Sequence, residues 1–136
     1  MLKQRIITAL ILIPLVLGCI FFSSPEDFSH ALMGVMLLAA WEWGNIIGLE
    51  TTPSRLLYVF ICFCIIQLFS VVNLPWVYGL VVLAWCVFIS WVLVYPSSTD
   101  RWARGTAFQA AMGFIVIVPT WGALCLIQAM DNGPWW

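Results

Sequence analysis

Five long apolar runs dominate this 136-residue chain, and its few charged residues lie almost entirely between them. There are six acidic and five basic residues, and Glu42 is the one that falls inside a run. Backbone amide and carbonyl groups in hydrocarbon must be satisfied within the structure, which favours helices and excludes open sheet edges. The pattern predicts an all-α fold, a polytopic membrane bundle of about five transmembrane helices.

The predicted spans are each close to the roughly 20 residues that cross about 30 Å of hydrocarbon as a helix. Together they form a single transmembrane domain, with spans at 6–22, 30–49, 56–74, 76–95 and 107–130. A very short turn at Pro75 separates the third span from the fourth, because proline has no amide hydrogen for a continuing helix. A re-entrant pair is the alternative at this turn.

The basic residues all fall on one side of this arrangement. They are Lys3, Arg5, Arg55, Arg101 and Arg104, and the opposite loops contain neither Lys nor Arg. Cytoplasmic loops of membrane proteins carry an excess of Lys and Arg. The N-terminus and these loops are therefore expected in the cytoplasm.

The composition limits the classes of partner. The sequence is 64% hydrophobic and 8% charged, whereas soluble domains carry about 25% charged residues. Its net charge of -1 provides no basic surface for a nucleic acid. Membrane lipids are the expected surroundings, and no nucleic-acid partner is predicted.

Small residues recur every four positions in the second span, at Ala40, Gly44 and Gly48. Such a ridge lets a neighbouring helix approach closely, and it is also a candidate surface for a homodimer. The fifth span carries a similar ridge and is the predicted partner. The residues of that second ridge are Ala103, Ala107 and Ala111.

Glu42 and Asn45 share a different face of the second span and are the polar intramembrane candidates. Glu42 lies about 12 Å along the axis from the loop at Glu50. A charge at the bilayer centre costs about 2.5 to 3.5 kcal/mol unless it is paired or hydrated. Two interpretations remain open: a carboxyl that is protonated or paired with Arg5, and a carboxyl that lines a cytoplasm-facing polar cavity.

No catalytic or metal-binding set is predicted in this chain. It contains no Gly-rich phosphate loop, no nucleophile with its base and no paired carboxylates for Mg²⁺. Arg101 and Arg104 are candidates for contact with phosphate, or simply enforce topology. The five cysteines lie inside predicted spans and are interpreted as apolar fillers.

Three stretches carry a resemblance to a known family: residues 2–14, the tetrad Ala-Trp-Glu-Trp at 40–43, and residues 131–136. They resemble the N-terminal part of bacterial phosphatidate cytidylyltransferase, the CDP-diacylglycerol synthase. The final stretch reads as a turn, a helix-opening proline and an aromatic belt. A sixth helix is expected to follow it, so that the chain is expected to be a truncated portion.

The resemblance implies a reaction of CTP with phosphatidic acid, giving CDP-diacylglycerol and pyrophosphate, at the cytoplasmic face of the bacterial inner membrane. It also implies Mg²⁺ in the full-length enzyme and places the family's metal and nucleotide signature beyond Trp136. This chain is therefore expected to bind no cofactor by itself, and CTP only with the C-terminal half. The Asp-Arg pair at 100–101 is followed by Trp102 and Ala103, so the signature's Asp-Arg-x-Asp role is not transferred to it.

The leading hypothesis is the N-terminal half of that enzyme, inactive alone, with phosphatidic acid among its lipid partners. A small non-catalytic membrane protein for interaction or assembly is the alternative from another class. A small transporter is the third hypothesis, and it requires Glu42 to be reached by water from each side in turn.

Overall fold

The computed structural model describes residues 10, 13–14, 16–72, 75–95 and 105–130. Residues 16–22 are helical, and four longer helices follow. These are α1 (Pro25–Ile46), α2 (Thr52–Val71), α3 (Pro75–Leu93) and α4 (Thr106–Gln128). The described residues contain no strand, and over these residues the all-α prediction is confirmed.

The starts of α1 and α2 are set by capping side chains. The Ser24 hydroxyl oxygen accepts a hydrogen bond from the backbone amide of Asp27 at 3.1 Å. The Thr51 hydroxyl oxygen likewise accepts from the amide of Ser54 at 3.3 Å, and a proline occupies the first turn of each helix. Both helices therefore begin four or five residues before the apolar run on which the predicted span was based.

Gly48 ends α1 and does not extend its small-residue ridge, which differs from the prediction. Its φ of 81° lies in the left-handed region that favours glycine, and the Leu49 amide donates to the Gly44 carbonyl at 3.0 Å. The helical ridge therefore consists of Ala40 and Gly44, both of which are buried.

Helix α4 is the centre of the bundle, with α1, α2 and α3 packed around it. Side chains from α1, α2 and α4 form the core, which comprises Ala40, Tyr58, Cys62, Ile66, Ile117, Val118 and Trp121. The helix pair predicted from the ridges, α1 with α4, is present. The face of α4 differs from the prediction, because Ala107 and Ala111 are exposed and Ala103 lies outside the described residues.

Two glycines give α4 its close packing. A Cβ atom at Gly113 would lie 2.5 Å from Trp43 Nε1, and one at Gly122 would lie 2.6 Å from Phe69 Cε1. Alanine cannot receive aromatic rings at that distance. The large side chains of α1 and α2 therefore pack against the face of α4 that carries Gly113 and Gly122, and not against the face that carries the alanines.

Three of the described helices, α2, α3 and α4, are long and apolar enough to cross a membrane. Helix α3 has no buried residue, and its surface carries large apolar side chains such as Leu83 and Val92. An exposed apolar surface of this extent is compatible with hydrocarbon rather than water. Helix α1 is continuous, but polar residues, among them Glu42 and Asn45, interrupt its apolar sequence.

Candidate functional site

The bundle has two chemically different ends. Antiparallel packing of α1 on α4 is fixed by two indole hydrogen bonds, from Trp43 Nε1 to the Gln109 carbonyl at 3.0 Å and from Trp121 Nε1 to the Ser29 carbonyl at 3.2 Å. The Arg55 end contains the end of α1 and the starts of α2 and α4. The Pro75 end contains the start of α1, the end of α2, the start of α3 and the end of α4.

Arg55 is the most constrained charged residue that the structure describes. Its Nε donates to the Leu49 carbonyl at 2.6 Å, and its guanidinium carbon lies 5.7 Å from the centre of the Trp41 ring. Its stem packs on Gly44, where an added Cβ would lie 3.5 Å from the Arg55 Cγ. Backbone hydrogen bonding and ring contact together fix the position of the guanidinium group.

No described residue bonds to the terminal amino groups of Arg55. Within the described ranges, the hydrogen bond of this side chain is the one from Nε. A guanidinium group binds phosphate or carboxylate through paired N–H donors. Arg55 therefore presents, at this end of the bundle, a fixed group of the chemical type that pairs with anions.

Glu42 and Asn45 lie on an exposed face of α1, away from the buried Ala40 and Gly44. Among the described residues, none donates a hydrogen bond to the Glu42 carboxylate or forms an ion pair with it. The predicted pairing with Arg5 lies outside the described residues. The structure therefore places the carboxylate on a surface of α1 that no described helix covers.

The remaining candidates contribute no described geometry to this site. Arg101 and Arg104 lie outside the described residues. Within the described ranges, no three His, Cys, Asp or Glu side chains are grouped to hold a metal ion. All five cysteines are unpaired: Cys19, Cys62, Cys64, Cys86 and Cys125.

The sequence analysis used Arg55 only to assign the cytoplasmic side of the membrane. It did not predict that this side chain packs between α1 and α2. A detectable signal existed, because Arg55, Tyr58, Cys62 and Ile66 follow one another at spacings of three and four residues. Such spacing places them on one face of a helix. Tyr58, Cys62 and Ile66 are buried and Arg55 is partly buried, so this is the packed face of α2.

Comparisons with known proteins identify the relatives of the chain. No solved structure matches it. Phosphatidate cytidylyltransferase of Pseudomonas aeruginosa is 34% identical, with 94% of this chain and 48% of that protein covered. Phosphatidate cytidylyltransferase of Haemophilus influenzae is 30% identical, with 88% of this chain and 46% of that protein covered. The chain thus spans about half the length of these curated relatives.

The sequence profile of the cytidylyltransferase family matches residues 3–136, which is nearly the whole chain. This match includes the tetrad and all but the first residue of the opening stretch on which the resemblance was based. The chain therefore belongs to the cytidylyltransferase family.

Proposed function

We propose that this chain acts in CDP-diacylglycerol synthesis, as the N-terminal helical portion of a phosphatidate cytidylyltransferase. The observation that carries the proposal is the alignment of 94% of the chain with 48% of a relative of that name. In the proposed reaction a phosphate oxygen of phosphatidic acid attacks the α-phosphorus of CTP. A new P–O bond forms, the bond to the β-phosphate oxygen breaks, and pyrophosphate leaves.

In this proposal the chain supplies lipid contacts, and the uncovered half of the relatives' length supplies the site for CTP. Arg55 contacts the phosphate of phosphatidic acid through its terminal amino groups, as its fixed guanidinium supports. Glu42 and Asn45 face the polar cavity that forms against the other half. The resemblance implies Mg²⁺, but the described residues offer no group of three ligands, so we assign no metal ligand here.

The activity test compares three membrane preparations. The chain alone, the uncovered half of the Pseudomonas aeruginosa relative alone, and a fusion of the two are each given radiolabelled CTP and phosphatidic acid. We expect labelled CDP-diacylglycerol from the fusion and none above background from either part, because each part lacks groups that the reaction needs. The intact relative is the positive control, and turnover by the chain alone would contradict the proposal.

We further propose a multi-pass location in the bacterial inner membrane with the Arg55 end in the cytoplasm. The confinement of Lys and Arg to alternate loops supports this orientation. Reporter fusions after Arg55 and after Arg101 are expected to report the cytoplasm, and a fusion after Asp27 the opposite compartment. A result that places Arg55 and Arg101 on different sides of the membrane would refute the proposed topology.

A further inference from the structure

An apolar groove runs between α2 and α3, with α4 as its floor. Its cavity volume is about 380 Å³, and its lining includes Ile65, Leu80, Val81, Ala84, Ile115 and Val118. A second cavity, of about 260 Å³, lies at the Pro75 end and is lined by Ser70, Tyr78 and Trp121, among others. Phe69 lines both cavities, so the apolar groove and the more polar cavity are neighbours.

The shape of the groove follows from how α3 is attached. Three residues separate Val71 from Pro75, which holds α2 and α3 together at that end. Phe69 and Tyr78 meet there edge to face, with ring centroids 5.9 Å apart. Away from this contact α3 packs on α4, and the space between α2 and α3 remains open.

The Pro75 end of the groove has two hydroxyl groups in its lining, those of Ser70 and Tyr78, and no described cation. The Tyr78 hydroxyl has no hydrogen-bond partner among the described residues. Gly122 leaves room for it, since a Cβ there would lie 2.7 Å from the Tyr78 oxygen. Ser70 donates to the Gln67 carbonyl at 2.7 Å, and its oxygen still accepts. The described lining contains no Lys or Arg, so no described cation favours an anionic headgroup at this end.

We propose that this groove binds one acyl chain of a membrane phospholipid, whose headgroup region contacts the Tyr78 hydroxyl. The lining from Val77 to Ala84 extends about 10 Å along α3. This length fits within one leaflet, whose hydrocarbon layer is roughly 15 Å thick. Phe69 and Tyr78 close the groove at the Pro75 end, so a helix, which is about 10 to 12 Å across, cannot pass between α2 and α3 there. A flexible acyl chain fits such a wedge.

This lipid site is separate from the proposed cytidylyl transfer and does not rest on it. It lies at the Pro75 end, whereas the anion contact of Arg55 lies at the opposite end of the bundle. Its described lining has no Lys or Arg to pair with the two negative charges that a phosphate monoester carries. The bound lipid is therefore a structural phospholipid that holds α3 against α2 and not the reacting phosphatidic acid.

The test is photolabelling of the full chain in nanodiscs of phosphatidylethanolamine. The probe is phosphatidylethanolamine with a diazirine in one acyl chain, and labelled residues are mapped by mass spectrometry. We expect labels to concentrate on Ile65 and Ile115 and to exceed those on Val82, which is 61% exposed on another face of α3. Ala84→Trp fills the groove and should abolish labelling of Ile65, whereas the matched control Val82→Trp should leave it unchanged.

Two further variants test the headgroup contact and provide for misfolding of Ala84→Trp. Tyr78→Phe should lower retention of the phospholipid probe during detergent washing without changing labelling by a diazirine fatty acid, which separates headgroup contact from chain contact. Ala84→Leu narrows the groove by a smaller change, keeps Ile65 as the labelled residue, and replaces Ala84→Trp if that variant does not fold. Uniform labelling of both faces of α3, or unchanged Ile65 labelling in the filled variant, would overturn the proposal.

The same labelling in the fusion with the uncovered half of the Pseudomonas aeruginosa relative tests a different occupant. Persistence of the Ile65 label supports the lipid. Loss of that label, with protein cross-links in its place, would show that a helix fills the groove and would overturn the proposal. Preferential competition by phosphatidic acid over phosphatidylethanolamine would also overturn it, because it would assign the groove to the substrate.

Discussion

Replacing Gly113 by Val is expected to prevent assembly of the helical bundle. A Cβ atom there would lie 2.5 Å from Trp43 Nε1 and would also overlap the Tyr58 hydroxyl. Both groups are held against α4, by hydrogen bonds to the Gln109 carbonyl at 3.0 Å and the Ala110 carbonyl at 3.1 Å. The substitution therefore displaces α1 and α2 together.

The expected cost is large compared with the stability of a domain. Each lost hydrogen bond costs about 1 kcal/mol, and more where a buried donor is left unpaired. Overpacking adds about 1 to 3 kcal/mol, against a typical total stability of about 5 to 15 kcal/mol. Gly113→Val should therefore reduce the fraction of monodisperse protein in detergent and lower its midpoint of thermal unfolding sharply.

Two glycines provide matched controls for this experiment. An added Cβ at Gly34 of α1 or at Gly79 of α3 meets no atom within 4 Å. Gly34→Val and Gly79→Val should therefore yield monodisperse protein whose unfolding midpoint is close to that of the unaltered chain. Equal behaviour of Gly113→Val and these controls would show that α1 and α2 do not meet α4 at this point.

Loss of the Arg55 guanidinium is expected to impair the active fusion protein rather than its assembly. A hydrogen bond to a charged group contributes about 1.5 to 3 kcal/mol, which corresponds to roughly a 10- to 100-fold change. Arg55→Ala should raise the KM for phosphatidic acid by that factor, because in the proposed function the guanidinium contacts the lipid phosphate in both the ground state and the transition state. Arg55→Lys should restore the KM for phosphatidic acid only in part, since lysine lacks the planar group that donates to Leu49 and lies over Trp41.

The controls for Arg55 separate phosphate contact from charge and folding. Lys3→Ala removes one positive charge from the same expected side and should leave the KM for phosphatidic acid unchanged. Thermal unfolding of each variant in detergent reports whether α2 still packs on α1. An unchanged KM for Arg55→Ala, with activity retained, would remove Arg55 from the lipid site and leave it as a structural link between α1 and α2.

Much of the local structure could be predicted from the residues themselves. The apolar runs indicated helices, and Ser24-Pro25 and Thr51-Thr52-Pro53 are cap sequences that the spans overlooked because apolarity alone was used to place their starts. The pairing of α1 with α4 was predicted from small residues on both helices. The face of α4 that makes this contact was not predicted correctly. Ala107, Ala111 and Gly113 are all small, and their spacing does not indicate which of them lies at the contact.

The sequence by itself determined that the described chain is helical and that Glu42 lies within an apolar segment, because backbone hydrogen bonding in helices is local and hydropathy is a property of each residue. Only the tertiary structure decided that Trp43 lies against Gly113 of α4 and that Arg55 is held by Leu49 and Trp41. The Trp43 indole and its carbonyl acceptor are 66 residues apart. Such contacts depend on how the shapes of two helices fit, and no periodicity within one helix encodes that fit.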